Sequence, residues 1–240
     1  MAATDLLFRD DPYTRRCSAR IVSAEPGAIR LDRTVFYPMG GGQPGDRGTL
    51  RLISGQRFEI IDTVKGAAED DVVHVPAPGA ALLPSGVEVL AELDWERRHR
   101  LMRMHTCLHL LTAVVAAPVT GGQIAEDKGR LDFDLQDLPI TLDRDAIEAK
   151  LNALIASGAT AAARWIADEE LAARPELVKT MLVKPPAGQG RVRLMEIAGI
   201  DLQPCGGTHV ARVGEIGPVM VLKIESKGRR NRRVIVGFAD

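Results

Sequence analysis

The chain has 240 residues, of which 45% are hydrophobic and 26% charged, with a formal net charge of −1. This composition is typical of a globular protein with enough apolar material for a core, and the length is typical of two domains. The composition argues against a protein that coats nucleic acid by its overall charge, against a membrane protein, and, with only three scattered cysteines, against a disulfide framework.

The first ninety residues are rich in β-branched and aromatic positions separated by turn residues, which predicts short strands. The predicted strands are Ser18–Val22, Ile29–Leu31, Thr49–Ile53, Phe58–Val64 and Gly86–Leu93. Four glycines and two prolines in Tyr37–Asp46 leave no room for a helix or a regular strand. The proline-punctuated Pro76–Pro84 is the best candidate for a linker.

Two long helices are predicted in the second half. The first begins near Asp94 or Trp95 and ends at about Ala117, before Pro118. Its apolar residues recur every three or four positions, so we expect one buried stripe: Leu101, Met104, Leu108, Leu111 and Val115. The second helix is capped by Asp143 and ends at Ser157 before Gly158, with Ile147, Leu151 and Leu154 on its apolar face.

Strands return after the second helix. We predict a strand over Thr160–Ala167, a short helix from Asp168 to before Pro175, and strands at Arg191–Ile197, Pro218–Glu225 and Arg233–Phe238. The last two strands flank a basic turn and are predicted to form a hairpin. Helices mixed with antiparallel strands predict an α+β arrangement of layers. We therefore expect two domains, residues 1–93 and residues 94–240.

Two basic runs stand out, Arg97–Arg103 and Lys227–Arg233. Such runs are usually solvated faces or turns, and they indicate nucleic acid only when another feature does so too.

The most specific feature of the sequence is two pairs of potential metal ligands. His105 and His109 are four residues apart on the first long helix, so they lie about 40° apart on one face and can reach one ion. Cys205 and His209 flank two glycines that allow a tight loop. Three imidazoles and one thiolate suit Zn²⁺, a borderline-soft ion that takes nitrogen and sulfur ligands. Cys107 is about 200° from His105 on the helix and is interpreted as a small packing residue.

A zinc site does not by itself imply catalysis. Four protein ligands can form a closed structural site, whereas a catalytic site needs a position for water or substrate. Composition and spacing leave both possibilities open.

Four segments together resemble a known family. Arg103–Leu111 (RMHTCLHLL) and Cys205–Gly217 (CGGTHVARVGEIG) resemble the paired motifs of the alanyl-tRNA synthetase editing domain and of its freestanding relatives, the AlaX proteins. Phe36–Pro44 (FYPMGGGQP) resembles the glycine-rich motif that precedes them, and Ser226–Val234 (SKGRRNRRV) the closing segment. These matches span roughly residues 30–238 in the family's order.

The resemblance implies a small N-terminal β-barrel with the glycine-rich motif, followed by a C-terminal two-layer α+β editing domain that binds zinc. It implies hydrolysis of the ester in mischarged tRNA(Ala), mainly seryl, with glycyl as a further candidate. Because no aminoacylation segment precedes the motifs, we expect an enzyme that acts in trans and consumes no ATP, and the short segment after the last motif matches the mid-length type. The charged N-terminus and the few cysteines predict a cytoplasmic protein without membrane association.

The resemblance also implies roles for single residues. His105, His109, Cys205 and His209 would hold the zinc, which would position water or the aminoacyl group and stabilise charge on the carbonyl oxygen. Thr34, Gly41, Gly42, Gln43 and Thr208 are candidates for the substrate pocket. The candidate tRNA-binding residues are Arg97, Arg98, Arg100, Lys227, Arg229, Arg230, Arg232 and Arg233.

Other functions remain open at this stage. The chain could be a zinc-containing tRNA-binding module without catalysis, or it could edit a threonine tRNA, because threonyl-tRNA synthetases carry a related motif pair. The Gly40–Gln43 segment favours the alanine branch. A hydrolase of another small ester is the least favoured alternative.

Overall fold

A computed structural model describes residues 4–68, 70–136, 141–180 and 190–239. The chain divides into two compact units, Met1–His99 and Arg100–Asp240, which we call unit 1 and unit 2. Within the described residues, no helix combines the length and the apolarity that a membrane crossing requires.

Apart from one short helix and the start of a long one, the regular elements of unit 1 are strands. Its elements are β1 (Asp5–Leu6), α1 (Leu7–Asp10), β2 (Arg16–Glu25), β3 (Ala28–Leu31), β4 (Arg33–Thr34), β5 (Gly48–Leu52), β6 (Arg57–Lys65), β7 (Val72–Pro76) and β8 (Glu88–Leu93). Six of the strands close into a barrel in the order β2-β3-β7-β6-β5-β8, with antiparallel neighbours throughout. This confirms the small β-barrel that the resemblance implied.

The interior of the barrel follows from alternation along its strands. Ala19 and Ile21 of β2, Phe58 and Ile60 of β6, and Ala91 of β8 are all at most 6% exposed, while the intervening residues face outward. This period of two is what a strand with one apolar face requires. All five side chains belong to a single hydrophobic cluster.

The interpretation of Pro76–Pro84 as a linker is wrong. The segment joins β7 to β8, which are two strands of the same barrel. Ala80 N–H donates to Ala77 O at 3.1 Å, and Leu83 is 6% exposed in the barrel core, so the segment folds back onto unit 1. β7 itself was not predicted from the sequence.

Unit 2 combines helices with two antiparallel sheets. The helix α2 (Trp95–Val115) begins in unit 1, and its residues from Arg100 onward belong to unit 2. The other elements are β9 (Val119–Ile124), β10 (Lys128–Asp134), α3 (Arg144–Ala156), β11 (Ala161–Ala167), α4 (Asp168–Ala172), β12 (Arg191–Ile197), β13 (Asp201–Pro204), β14 (Val219–Lys227) and β15 (Asn231–Phe238), with short 3-10 helices at Pro175–Leu177 and Val213–Ile216. The sheets have the orders β14-β15-β10-β9 and β11-β12-β13.

Both long predicted helices are confirmed. In α2 every residue of the predicted stripe is at most 4% exposed, including Leu101 and Val115. In α3 the Asp143 side chain accepts a hydrogen bond from Ala146 N–H at 2.7 Å, as an N-cap does. Ile155 is buried while Leu154 is only partly so, because the apolar face lies one residue further along than predicted.

The predicted strands of unit 2 are also present, and the C-terminal pair forms the expected hairpin of β14 and β15. The sequence did not reveal β9, β10 or β13. The segments Val119–Ile124 and Lys128–Asp134 contain glycines and charged residues, which weaken strand propensity. Pairing with β15 stabilises β10 as a strand, and pairing with β10 stabilises β9.

Candidate metal centre

Two segments more than ninety residues apart bring four potential ligands together. His105 and His109 are on α2, and Cys205 and His209 are in the loop after β13. One ligand atom from each residue lies within 4.8 Å of all the others. The three histidines are at most 6% exposed, and Cys205 is partly exposed. The convergence that the sequence predicted is therefore present.

The spacing of the ligand atoms fits a tetrahedral ion. Cys205 Sγ lies 3.2 Å from His209 Nε2 and 3.5 Å from His105 Nε2. Around a tetrahedral Zn²⁺, sulfur and nitrogen ligands stand about 3.5 Å apart, given the usual bond lengths. The donor set and its spacing therefore fit zinc.

Backbone contacts hold the cysteine loop in shape. Cys205 N–H donates to Arg193 O at 3.1 Å, and the buried Arg193 guanidinium donates to Cys205 O at 2.8 Å and to Gly207 O at 3.1 Å. Gly207 N–H points at Cys205 Sγ from 3.4 Å. A backbone donor at this position stabilises a thiolate, the form that binds metals.

Two of the imidazoles are oriented through their second ring nitrogen. His109 Nδ1 donates to the Asp201 carboxylate at 2.8 Å, and His209 Nδ1 lies 3.3 Å from Thr106 Oγ1. The Thr106 hydroxyl donates to Met102 O at 2.9 Å, so it accepts from His209. Both contacts leave Nε2 as the ligand atom, as is usual for histidines that bind metals.

Neighbouring charges set the protonation of the ligands in the metal-free protein. Burial raises the pKa of the Cys205 thiol, but the charges of His105 and His209 outweigh it and hold this pKa well below its usual range. Burial lowers the pKa of His109, but its hydrogen bonds to Asp201 and Cys205 raise it to about 9. Burial raises the pKa of Asp201, but the hydrogen bond from His109 brings it down to about 2. Asp201 is therefore anionic near neutral pH, and the neighbours of Cys205 favour its thiolate form.

The glycine-rich segment is an irregular loop in unit 1, as predicted. Gly40 and Gln43 exchange backbone hydrogen bonds of 3.0 and 2.9 Å, and Gly41 and Gly42 between them have φ of 57° and 82°. This left-handed turn favours glycine at both positions. Gln43 is fully buried.

Thr34 lies inside unit 1, where its hydroxyl donates its proton to a histidine. His74 Nδ1 is 3.1 Å from Ile29 O and donates to it, so His74 Nε2 accepts the Thr34 hydroxyl proton at 2.8 Å. Phe36 N–H donates to the same hydroxyl at 3.0 Å. Thr34 is fully buried, as Gln43 is, and its role as a substrate contact stays a prediction.

Comparison with known proteins identifies the family. Residues 192–235 match the Threonyl and Alanyl tRNA synthetase second additional domain. Over 99% of its length, the chain is 34% identical to the whole of the alanyl-tRNA editing protein AlaX-M of Methanosarcina acetivorans. The chain belongs to the AlaX-M family.

Other relatives agree with this assignment. The AlaX-M protein of Saccharolobus solfataricus is 33% identical over 96% of this chain and 97% of that protein. An alanine–tRNA ligase of Sulfurisphaera tokodaii is 32% identical over 92% of this chain but only 25% of the ligase. The chain thus corresponds in length to the freestanding relatives and to one segment of the ligase.

The first two residues of the Arg97–Arg103 run are interior residues. Arg98 is fully buried and pairs with Asp46, and Arg97 is 8% exposed and donates to Gly45 O at 2.7 Å. Neither side chain is on a surface where a phosphate could reach it, which corrects their prediction as tRNA contacts. Arg100 is half-buried and donates to Glu126 O at 2.9 Å.

The C-terminal basic residues lie on the hairpin of β14 and β15. Lys227, Arg229 and Arg230 are exposed at its turn, with Lys227 2.9 Å from Glu225 and Arg230 3.2 Å from Asp134. Arg232 and Arg233 are half-buried; Arg232 donates to Gly228 O at 3.2 Å, and Arg233 forms a two-pronged pair with Asp132 at 2.7 and 2.8 Å. The turn therefore presents the most accessible positive charge of this run.

Sequence reasoning missed the residues behind the metal ligands. Asp201, Gln203, Thr112 and Lys179 form a network around His109, and none was singled out. Asp201 and Gln203 precede Cys205 by four and two residues, and polar residues so close to a ligand were an available signal. Thr208, which was predicted, is fully buried next to His209.

Proposed function

We propose that this chain is a zinc-dependent hydrolase that acts in trans on mischarged tRNA(Ala). Its substrate would be Ser-tRNA(Ala), with Gly-tRNA(Ala) as a second candidate, and it would cleave the carboxylic ester that joins the amino acid to the tRNA. The convergence of three imidazoles and one thiolate within 4.8 Å carries the proposal. The near full-length match to relatives named alanyl-tRNA editing proteins supports the choice of tRNA.

Zinc is the metal that this donor set fits best, and His105, His109, Cys205 and His209 would hold it. A zinc ion would supply positive charge to stabilise the developing oxyanion and to orient water or the aminoacyl group. The chain supports this chemistry by keeping Cys205 as a thiolate and by turning Nε2 of His109 and His209 toward the ligand cluster. The partial exposure of Cys205 leaves a side from which a ligand can approach.

The need for such an enzyme follows from the limits of selection by size. A synthetase pocket that accepts alanine rejects serine, which adds one hydroxyl, by only about 10²-fold. A second site that hydrogen-bonds this hydroxyl can favour the seryl ester over the alanyl ester by about 10⁴-fold or more. We propose that Thr34, Gly41, Gly42, Gln43 and Thr208 provide contacts to the substrate.

The remaining features of the proposal concern the setting of the reaction. Ester hydrolysis consumes no ATP, and the correspondence in length to freestanding relatives supports action in trans. We further propose that residues 1–93 form the barrel domain and 94–240 the editing domain, and that the protein works in the cytoplasm. The exposed turn residues Lys227, Arg229 and Arg230 are proposed to contact phosphates of the tRNA.

The decisive experiment compares deacylation of four substrates with and without a zinc chelator. Ser-tRNA(Ala) and Gly-tRNA(Ala) should be hydrolysed, whereas Ala-tRNA(Ala) and Ser-tRNA(Thr) should be spared. The variants His109→Ala and Cys205→Ala should lose both zinc and activity, while Cys107→Ala, a change of the same type on α2, should retain both.

Each contrary outcome has a distinct meaning. Full activity in a metal-free protein would remove the zinc mechanism. Tight binding of tRNA without hydrolysis of any ester would establish a zinc-containing binding module instead. Hydrolysis of Ser-tRNA(Thr) in preference to Ser-tRNA(Ala) would show that the enzyme edits a threonine tRNA instead.

A further inference from the structure

A buried carboxylate behind the metal ligands receives three donors. Asp201, at the start of β13, is 6% exposed. One carboxylate oxygen, Oδ2, lies 2.8 Å from His109 Nδ1 and 2.8 Å from Gln203 Nε2. The other oxygen pairs with the ammonium group of Lys179, whose side chain is 29% exposed. A buried carboxylate is stable when such donors compensate its lost hydration.

The carboxylate decides which nitrogen of His109 carries the proton. An anionic oxygen 2.8 Å from Nδ1 requires a proton on Nδ1, because the alternative tautomer would face it with a lone pair. Gln203 Nε2 is 3.1 Å from the same Nδ1, but both groups are donors in this tautomer, so that contact is not a hydrogen bond. The Nδ1 proton thus points to Asp201, and Nε2 is the nitrogen left for a metal.

A second chain of hydrogen bonds holds the backbone of His109. Gln203 Nε2 donates to Thr112 Oγ1 at 3.1 Å, and the Thr112 hydroxyl donates to His109 O at 2.8 Å. Gln203 and Thr112 are each 6% exposed. Asp201 therefore binds the ring of His109 directly and connects through Gln203 and Thr112 to its carbonyl group.

We propose that Asp201 is a positioning residue of the metal centre, which fixes the tautomer and orientation of His109, and that Lys179 compensates its charge. The inference rests on the proposed function, because it assumes that a metal binds at this cluster. A carboxylate behind a ligating histidine makes the imidazole a stronger ligand, and removing it typically costs 10- to 100-fold in metal affinity.

Lys179 and Asp201 should affect the metal in opposite directions. The ammonium withdraws charge from the carboxylate, so its removal leaves Asp201 a stronger acceptor for the Nδ1 proton. Zinc affinity should then stay the same or increase. Removal of the Asp201 charge should instead decrease it, although both changes break the same ion pair.

The test measures zinc affinity by competition with a chromogenic chelator for four proteins. Asp201→Asn, which preserves the size of the side chain, should weaken zinc binding about 10-fold or more. Lys179→Met should bind zinc at least as tightly as the wild type. Asp145→Asn, an identical change at an exposed position of α3, should leave affinity unchanged.

A spectroscopic measurement separates positioning from a general loss of fold. In zinc-loaded protein with ¹⁵N-labelled histidine, wild-type His109 should show a protonated Nδ1 and a metal-bound Nε2, and Asp201→Asn should populate other forms. In deacylation, Asp201→Asn should lower kcat with KM for the tRNA unchanged within about twofold.

The outcomes distinguish this inference from the proposed function. A wild-type protein that takes up no zinc overturns the proposed zinc enzyme. A wild type that binds zinc, with Asp201→Asn equal to it in affinity and in the His109 spectrum, overturns only the positioning role. If Asp201→Asn does not fold, Lys179→Met still tests the inference. Weaker zinc binding in Lys179→Met would contradict the expected effect of removing the ammonium charge from Asp201.

Discussion

Arg98 and Asp46 form an ion pair inside unit 1, with side chains that are 0% and 1% exposed. Arg98 Nε lies 3.0 and 2.9 Å from the two carboxylate oxygens, and Nη2 also donates to Val35 O at 2.7 Å. The carboxylate accepts Tyr37 N–H at 2.7 Å. Because Asp46 ends the glycine-rich segment, this pair ties the segment to the first turn of α2.

Breaking this pair should destabilise the protein strongly. Asp46→Asn or Arg98→Met leaves one buried polar group without its partner, so the free energy of unfolding should decrease by about 3–5 kcal/mol in denaturant titrations. Arg20 and Glu88 are the control, since their side chains are 58% and 76% exposed, and Arg20→Ala should cost less than about 1 kcal/mol. Equal decreases at both pairs would contradict the interpretation.

The glycines of the same segment should differ in their tolerance of alanine. A Cβ at Gly45 would lie 1.9 Å from Thr63 O, so Gly45→Ala should cost about 3 kcal/mol or more, or prevent folding. Gly41 has open space and a φ of +57°, so Gly41→Ala should cost only about 1–2 kcal/mol of backbone strain. Thermal unfolding of the two variants tests this order, and the reverse order would refute the close approach at Gly45.

His74 should make the stability of the protein sensitive to mild acid. Burial lowers its pKa from 6.5 to about 4, although the hydrogen bond to Ile29 O opposes the shift. The unfolded chain therefore binds a proton before the folded chain does. The stability contributed by neutral His74 is complete above pH 6.5 and is lost as the pH falls towards 4, by roughly 3 kcal/mol in total.

Substitution of His74 isolates this contribution. The difference in unfolding free energy between pH 7.5 and pH 4.5 should be smaller in His74→Gln than in the wild type by roughly 2–3 kcal/mol. His99→Gln, at a half-buried histidine of the same unit, is the matched control. An unchanged pH dependence in His74→Gln would mean that other groups cause the acid sensitivity.

The cysteines should differ sharply in reactivity when zinc is removed. The pKa of Cys205 is well below its usual range because His105 and His209 outweigh the effect of burial, whereas burial raises the pKa of Cys107 to about 12. Since the thiolate is the reactive form, iodoacetamide at pH 7 should label Cys205 quickly and Cys107 hardly at all. Peptide mass spectrometry measures both rates. Zinc should protect Cys205, and labelling unaffected by zinc would argue against its role as a ligand.

The turn of the C-terminal hairpin should contribute to tRNA binding through charge. Replacing Arg229 and Arg230 with alanine should raise KM for Ser-tRNA(Ala) and reduce the slope of log affinity against log salt by roughly 1 for each phosphate that the variant no longer binds. Arg51 and Arg57, exposed on β5 and β6, provide a control with the same charge change. A salt slope equal to that of the wild type would exclude the turn as a phosphate-binding element.

The sequence alone determined the features that depend on local pattern. The spacing of four residues placed His105 and His109 on one helix face, and the two glycines after Cys205 identified a loop that could bring His209 to the same ion. Alternation and turn residues predicted most strands of the barrel, and Asp143 predicted the start of α3. These features follow from helix and strand periodicity and from capping, which act over a few residues.

Tertiary structure decided the features that depend on distant partners. β9 and β10 lack a strong strand pattern and are strands because β10 pairs with β15 and β9 pairs with β10. Arg98 belongs to a basic run and reads as a surface residue, but Asp46, fifty-two positions earlier, makes its burial possible. Asp201 reaches His109 only because β13 lies beside α2. Burial and ion pairing are set by contacts between distant segments, which no local pattern encodes.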